Sequence, residues 1–279
     1  MTDRTWVGGS DSNNALAAAN WSPAGTPQRG DDLTVVTGTL NIANTNLAGN
    51  VLNLEDGAEG GGAVVLNLNG NASVGVAGSL FFGDDPTFNV AGVDLLNASG
   101  GLSAIDGTFD LASHAYLVVT GSLEFAYSDS LSGAAGSAIV NNGTIQTENG
   151  MVSVAVSGRG TLGFSGYHDG AGTSEITAAI SQGQTIALNP AAFGMTLTLT
   201  NPDTFHGILD IVQPPVPSSS DVSVVLDGIK ATSFDVKGNR LILSDGHRVV
   251  DTLNLANPGA VSISATYGTS STTLSFLPT

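Results

Sequence analysis

The chain has 279 residues, room for one large or two modest domains. Its 24 acidic residues outnumber 7 basic ones, giving a net charge of −17, and only 11% of the residues are charged. That balance excludes nucleic acid and anionic membrane surfaces as partners, since both need Lys/Arg to meet phosphates. The absence of cysteine excludes disulfides, thiolate chemistry and Cys-based zinc sites.

The first 32 residues differ from the rest of the chain. They hold both tryptophans, Trp6 and Trp21, with a short Leu16-Ala17-Ala18-Ala19 run that fits one helical turn. A coil of stacked strands exposes an apolar cross-section and unpaired edges at its ends. Residues 1–32 therefore read as an N-terminal cap.

From residue 33 the chain is a series of short apolar-alternating runs, at 33–36, 39–42, 51–54, 64–68, 73–76, 80–82, 88–90, 93–96, 102–105, 108–111, 116–119 and 123–125. Alternation in most of them puts one face inward and one outward. The separators are Asn-Gly, Asp-Gly, Gly-Ser and Asn-Ala-Ser-Gly, which supply the positive φ of tight corners. The stretch 138–166, AIVNNGTIQTENGMVSVAVSGRGTLGFSG, is the most regular example. Each run is too short to bury anything alone, and the runs recur with a loose period of about 20–25 residues, as solenoid repeats do. The fold class is all-β, a right-handed parallel β-helix (β-solenoid), with a β-sandwich as the alternative because Asn-Gly and Asp-Gly also close hairpins. Asn53, Asn67 and Asn97 recur in Leu-Asn phrases and are expected to stack as a ladder within the coil.

The solenoid body is assigned to 33–212. A Pro/Ser cluster at 213–221 comes next; proline cannot donate to a ladder, so it marks a loop or a boundary. Residues 222–279 are further solenoid turns or a separate β subdomain. They carry Lys230, Lys237, Arg240 and Arg248, four of the seven basic residues, on a surface unlike the acidic body. No run approaches the roughly 18 apolar residues of a membrane-spanning helix, and the N-terminus has no apolar signal core.

Two stretches carry a resemblance. One begins Leu197-Thr-Leu-Thr-Asn-Pro-Asp-Thr-Phe205-His-Gly207-Ile208. It continues through Val225-Leu-Asp-Gly-Ile229 and Gly238-Asn-Arg-Leu-Ile-Leu243-Ser-Asp-Gly246 to Thr273-Leu-Ser-Phe276. The other is Trp6 with Ala19-Asn20-Trp21-Ser22, Pro27 and Gly30-Asp31. Together they span about a third of the chain and resemble the ends and openings of proteobacterial extracellular parallel β-helix surface proteins, the autotransporter-passenger-like adhesins and matrix or fibre proteins. The resemblance implies a parallel β-helix at the cell surface or outside the cell. With no translocator barrel after Thr279, the expected route is export without an evident N-terminal signal peptide.

Catalytic constellations are weakly represented. Glycoside hydrolases need converging carboxylates, and the adjacent pairs Asp31-Asp32 and Asp84-Asp85 read as solvated turn acids. Between Arg29 and Lys230 the only basic residue is Arg159, which leaves a lyase cleft on the central rungs without a base. His114, His168, His206 and His247 show no HxH or HxxxH spacing, and no GxSxG elbow occurs. The one cofactor with hard-oxygen ligands on offer is Ca²⁺, at Asp56, Asp84 and Asp85.

The sequence thus points to a non-enzymatic structural subunit of a fibre, biofilm matrix or adhesin, self-assembling head-to-tail into an oligomer or filament. Trp6, Trp21, Lys237, Arg240 and Arg248 are the candidate subunit contacts. The alternative is a β-helix that binds or cleaves a polysaccharide, with polysaccharide or a cell surface as partner. Nucleic acid and membrane insertion are not expected.

Overall fold

The structure, a computed structural model, describes residues 2–8, 13–35, 38–43, 45–49, 51–54, 64–70, 73–76, 80–82, 87–98, 102–105, 108–126, 130–166, 171–190, 194–212 and 221–278. Parallel pairing between strands one rung apart makes the protein an all-β solenoid and excludes the sandwich. Helical structure among the described residues is confined to short 3-10 turns, at Ala18–Asn20, Pro202–Thr204 and Pro258–Ala260. The chain divides into two compact units, Met1–Ile145 and Gln146–Thr279.

In the first unit each rung contributes strands to three faces. One face stacks Asp32–Val35 on Val51–Leu54, Leu80–Phe82, Leu102–Ile105 and Ser122–Ala126. The second stacks Gly38–Ala43, Val64–Gly70, the start of Thr87–Ala98, Thr108–Leu111 and Ser130–Gly133. The third stacks Asn46–Gly49, Ser73–Val76, the end of Thr87–Ala98, Tyr116–Val119 and Ala138–Asn141. The sequence pattern suggests separate runs at 88–90 and 93–96. They are instead one strand of 12 residues that bends from the second face onto the third through Ala91-Gly92. A glycine at the bend leaves the corner free of a side chain.

Period-2 alternation explains the burial. Leu40, Leu66, Phe109 and Leu131 belong to one inward column, and Ile42, Leu68 and Leu111 to its neighbour, all buried. Each such side chain stabilises the coil by roughly 1.5–3 kcal/mol relative to an exposed one. Stacking is tight at the corners: a Cβ on Gly143 would collide with the Gly121 carbonyl of the rung beneath, so that turn accepts glycine alone. Ser113 Oγ donates to the Ala135 carbonyl across 22 residues, which measures the rung.

The expected Asn ladder is corrected in its members. Asn67 Nδ2 donates to Asn41 Oδ1 at 2.7 Å, on the second face. Asn53 lies on the first face in register with Thr34 and Phe81, and Asn97 on the third in register with Gly75. A ladder needs residues one full rung apart on one face, and the three Leu-Asn phrases sit on three faces.

In the second unit two faces persist. Thr161–Ser165, Thr185–Asn189 and Ile208–Ile211 stack in parallel, as do Met151–Val152, Gly172–Ile176, Met195–Leu199 and Val222–Asp227. A third column shrinks to single-residue bridges, Val156 to Ile180 to Phe205, all buried. Past Asp227 the pairing turns antiparallel. Ser271–Pro278 runs against Val222–Asp227 and extends its inward columns with Phe276, Leu274 and Thr272. Ser233–Lys237, Arg240–Asp245 and Arg248–Leu255 form an antiparallel meander, joined to Ile208–Ile211 through the parallel pair Leu209 and Leu255.

Candidate functional site

The candidate contact residues fall into two groups with opposite surroundings. Trp6 and Trp21 are 7% and 1% exposed, with ring centroids 5.2 Å apart in an edge-to-face contact. Trp21 Nε1 donates to the Ala15 carbonyl at 2.8 Å, which satisfies the one polar atom of the buried ring. Asp3–Trp6 pairs antiparallel with Trp21–Ser22 on one side and parallel with Asp32–Val35 on the other. The rings are therefore packed inside the chain's own N-terminal segment. Two large apolar rings are thus desolvated within one chain, and little of either is left exposed for the subunit contact expected of them.

Beside them lies an ion pair that turn chemistry did not suggest. Arg4 Nε donates to Asp31 Oδ2 at 2.6 Å, with side chains 12% and 7% exposed. Asp31 also accepts the Thr2 and Gln28 amides, and Arg4 donates to the Pro23 carbonyl. The Arg4 hydrogen bond, with the backbone donors, holds the Asp31 carboxyl below its usual range against the opposing effect of burial. Asp31 is thus a buried, paired acid rather than a solvated turn acid.

Lys237, Arg240 and Arg248 are exposed on the antiparallel meander of the second unit. Lys237 Nζ lies 3.2 Å from Asp235 Oδ2, both side chains open to solvent. Ser233–Lys237 is one edge strand of its sheet, with Trp21–Ser22 at the other edge, and Val261–Tyr267 is one edge strand of the second sheet, with Ala155–Ser157 at its other edge. The calcium candidates Asp56, Asp84 and Asp85 lie outside the described residues. Among the described residues no group of three His, Asp or Glu side chains is placed to hold a metal ion. His114, His206 and His247 are exposed and separate, and His168 lies outside the described residues.

The second unit has an open groove of about 720 Å³ between Ile208–Ile211 and the Pro258–Ala260 turn. Asp210, Asn239 and Asn257 supply its polar side chains and Val212 an apolar one. Asn257 Nδ2 donates to Asp210 Oδ1 at 3.4 Å, and Asn239 Nδ2 to the Ala256 carbonyl at 3.1 Å. One carboxylate and two carboxamides can accept and donate hydrogen bonds to hydroxyl groups. They do not form the carboxylate pair that glycoside hydrolysis uses. These three residues come from separate elements, brought together by the antiparallel strands after Asp227.

Asp251 is a further acid that no motif marked. Oδ1 accepts the Thr252 amide at 2.6 Å, while Oδ2 is buried without a hydrogen-bond partner. Burial pushes this carboxyl up, Asp203 nearby adds to the rise, and the Thr252 amide and His206 oppose it.

No family model matches the chain, and neither the curated proteins nor the solved structures contain a significant match.

Proposed function

We propose that the chain is a non-enzymatic structural subunit of an extracellular fibre, matrix or adhesin whose copies join through strand edges. The observation that supports this reading most is the state of the C-terminal strands. Each sheet ends on an outermost strand, Ser233–Lys237 or Val261–Tyr267, with a row of backbone donors and acceptors facing away from the sheet. Such an edge is a template for another chain. Head-to-tail stacking is heterologous and propagates into filaments. The polar, sparsely charged outer surface suits a protein that works in repeated side-by-side copies, and the motifs around Trp21 and 197–246 agree with a surface location.

Negative-stain microscopy of the purified protein tests this. Filaments that lengthen with concentration are expected. Strictly monomeric particles at millimolar concentration, together with turnover of a polysaccharide, would sink the proposal.

A second reading rests on the Asp210, Asn239 and Asn257 groove, whose amide and carboxylate groups fit sugar hydroxyls. It calls for polysaccharide binding that Asp210→Ala weakens at least tenfold, measured by calorimetry against a panel of glycans. Equal binding by the variant removes the groove as the site.

A further inference from the structure

We infer that the Ser233–Lys237 strand is a self-complementary edge through which two copies of this chain pair antiparallel, centred on Val236. The inference stands on the edge itself and does not rest on head-to-tail stacking: an isologous contact closes at two copies, whereas a heterologous one propagates.

The hairpin fixes which backbone groups are available. Ser233–Lys237 pairs with Arg240–Asp245, with Lys237 opposite Arg240 across the two-residue turn Gly238-Asn239. Gly238 has φ of 58°, as the first central position of a type II′ turn requires. The pair that closes a two-residue hairpin exchanges hydrogen bonds, and such pairs alternate along the ladder. Lys237, Asp235 and Ser233 therefore point their N–H and C=O groups into the hairpin. Val236 and Phe234 point theirs outward, at an edge where no described residue pairs.

A copy related by a two-fold axis through Val236 meets those groups in phase. Val236 hydrogen-bonds Val236 of the second copy, and Phe234 lies across from Gly238. Asp235 then lies directly opposite Lys237, twice by symmetry, at the closer, non-hydrogen-bonded spacing where opposite charges help most. Arg240, beside Lys237 in the hairpin, adds to the positive charge that the incoming Asp235 meets. Sliding the second copy by two residues, the smallest step that keeps the outward groups facing each other, places Asp235 against Asp235 or Lys237 against Lys237, so the charges also select the register.

The apolar face agrees. Val236 and Phe234 are in register with Leu241 and Leu243, which are buried. At the edge that apolar face is left open: Val236 is 38% exposed and Phe234 half-buried. A second copy continues the sheet and covers both. Edge strands that avoid partners carry charged side chains, proline or a bulge. Here the acid and base, 3.2 Å apart within one copy, are spaced so that they exchange partners across the axis.

Sedimentation equilibrium at about 0.15 M salt, close to physiological ionic strength, reads the contact. At concentrations below those at which filaments form, the full chain is expected to interconvert between monomer and dimer. Lys237→Asp leaves two acids on the strand and Asp235→Lys leaves two bases. Each alone should weaken self-association about tenfold or more, as two symmetric pairs turn repulsive. Mixing the two variants should restore a heterodimer, and combining both substitutions in one chain should restore the homodimer. Val236→Pro removes an outward donor without breaking a hairpin hydrogen bond, and should give a monomer with an unchanged circular dichroism melt. A wild-type chain that stays monomeric, charge variants that self-associate as tightly as wild type, or a mixture that forms no heterodimer overturns the inference. Polymers that persist unchanged in every variant belong to head-to-tail stacking and equally overturn edge pairing as the contact.

Discussion

The two units solve the same packing problem with different amounts of hydrogen bonding. In Met1–Ile145 every rung contributes strands to three faces and repeats in 22 residues at the Ser113–Ala135 step. Rung length does not separate the units: registered positions are 19 residues apart at Asp32–Val51 and 26 at Leu40–Leu66 in the first, and 24 at Thr161–Thr185 and 23 at Glu175–Thr198 in Gln146–Thr279. The third face there is reduced to the bridges of Val156, Ile180 and Phe205. The inward columns nevertheless continue, through Leu162, Ile186 and Leu209 on one face and Val152, Ile176, Leu199 and Leu226 on the other. A coil tolerates the loss of ladder hydrogen bonds on one side as long as each rung still places an apolar residue inward. It ends where the chain reverses, at the antiparallel pairing of Ser271–Pro278 with Val222–Asp227.

If the regular unit depends on its closed N-terminal segment, the largest effect will come from there. Trp21→Ala removes a ring that is 1% exposed, the edge contact with Trp6 and the bond to the Ala15 carbonyl. A loss of about 3–5 kcal/mol is expected, read as a lower urea midpoint. Amide exchange should show the loss concentrated in 2–145. Equal loss of protection throughout 146–279 would show that the units unfold as one.

Asp31→Asn is the next largest. Arg4 then keeps a neutral partner in a largely buried setting, at a cost of about 2 kcal/mol. The Asp31 carboxyl is held below its usual value of 3.8, so the folded state binds this proton less readily than the unfolded one. Its contribution is fully present above that value and fades as pH falls below about 4. The gap between wild type and variant should close on acidification; a gap that stays constant to pH 3 rules out the carboxylate as its source.

These sites mark the boundary of what local sequence carries. Strands and turns were legible because period 2 and Gly/Asn corners are local signals, so Thr108–Leu111, Tyr116–Val119 and Ala138–Asn141 are read almost residue for residue. Register was not. Nothing in Leu-Asn-Leu at 52–54 and 66–68 says that the two phrases face different directions, because the spacers between rungs vary. The Arg4–Asp31 bond spans 27 residues, and an acid beside Gly30 looks like any other turn acid. The Asp210–Asn257 pair spans 47 residues and depends on the reversal after Asp227. Both are consequences of stacking, which a single-strand pattern does not encode.

The second unit offers the opposite pH response. Asp251 is raised by burial, so its folded state favours the proton more than the unfolded state does. That preference supports the fold at low pH and turns into a penalty as pH rises through the folded value. Asp251→Asn keeps an acceptor for the Thr252 amide and removes the charge. The variant should be more stable than wild type at pH 7, by about 1 kcal/mol, with the difference vanishing below about pH 4. A variant that is less stable at pH 7 would mean that His206 or an unseen donor pairs with the carboxylate.

The smallest expected effect tests how dry the coil of the second unit is. Thr147 and Ser174 are 2% and 5% exposed, and each hydroxyl oxygen is buried without a hydrogen-bond partner in the protein. Ser174 sits in an inward column with Leu197 and Val224, where its neighbours are apolar. Thr272, in the next column, is fully buried but donates to the Ile229 carbonyl and accepts the Ala231 amide. An unpaired buried hydroxyl carries a desolvation cost of about 1–3 kcal/mol, and deleting it together with its cost is close to neutral. Ser174→Ala and Thr147→Val should therefore change stability by less than about 0.5 kcal/mol, or raise it. A loss above about 1 kcal/mol in either would mean that a buried water bridges the hydroxyl to a neighbouring rung. In that case internal solvent holds this unit on the side where its third face is reduced to single bridges, and where the first unit uses strand pairing.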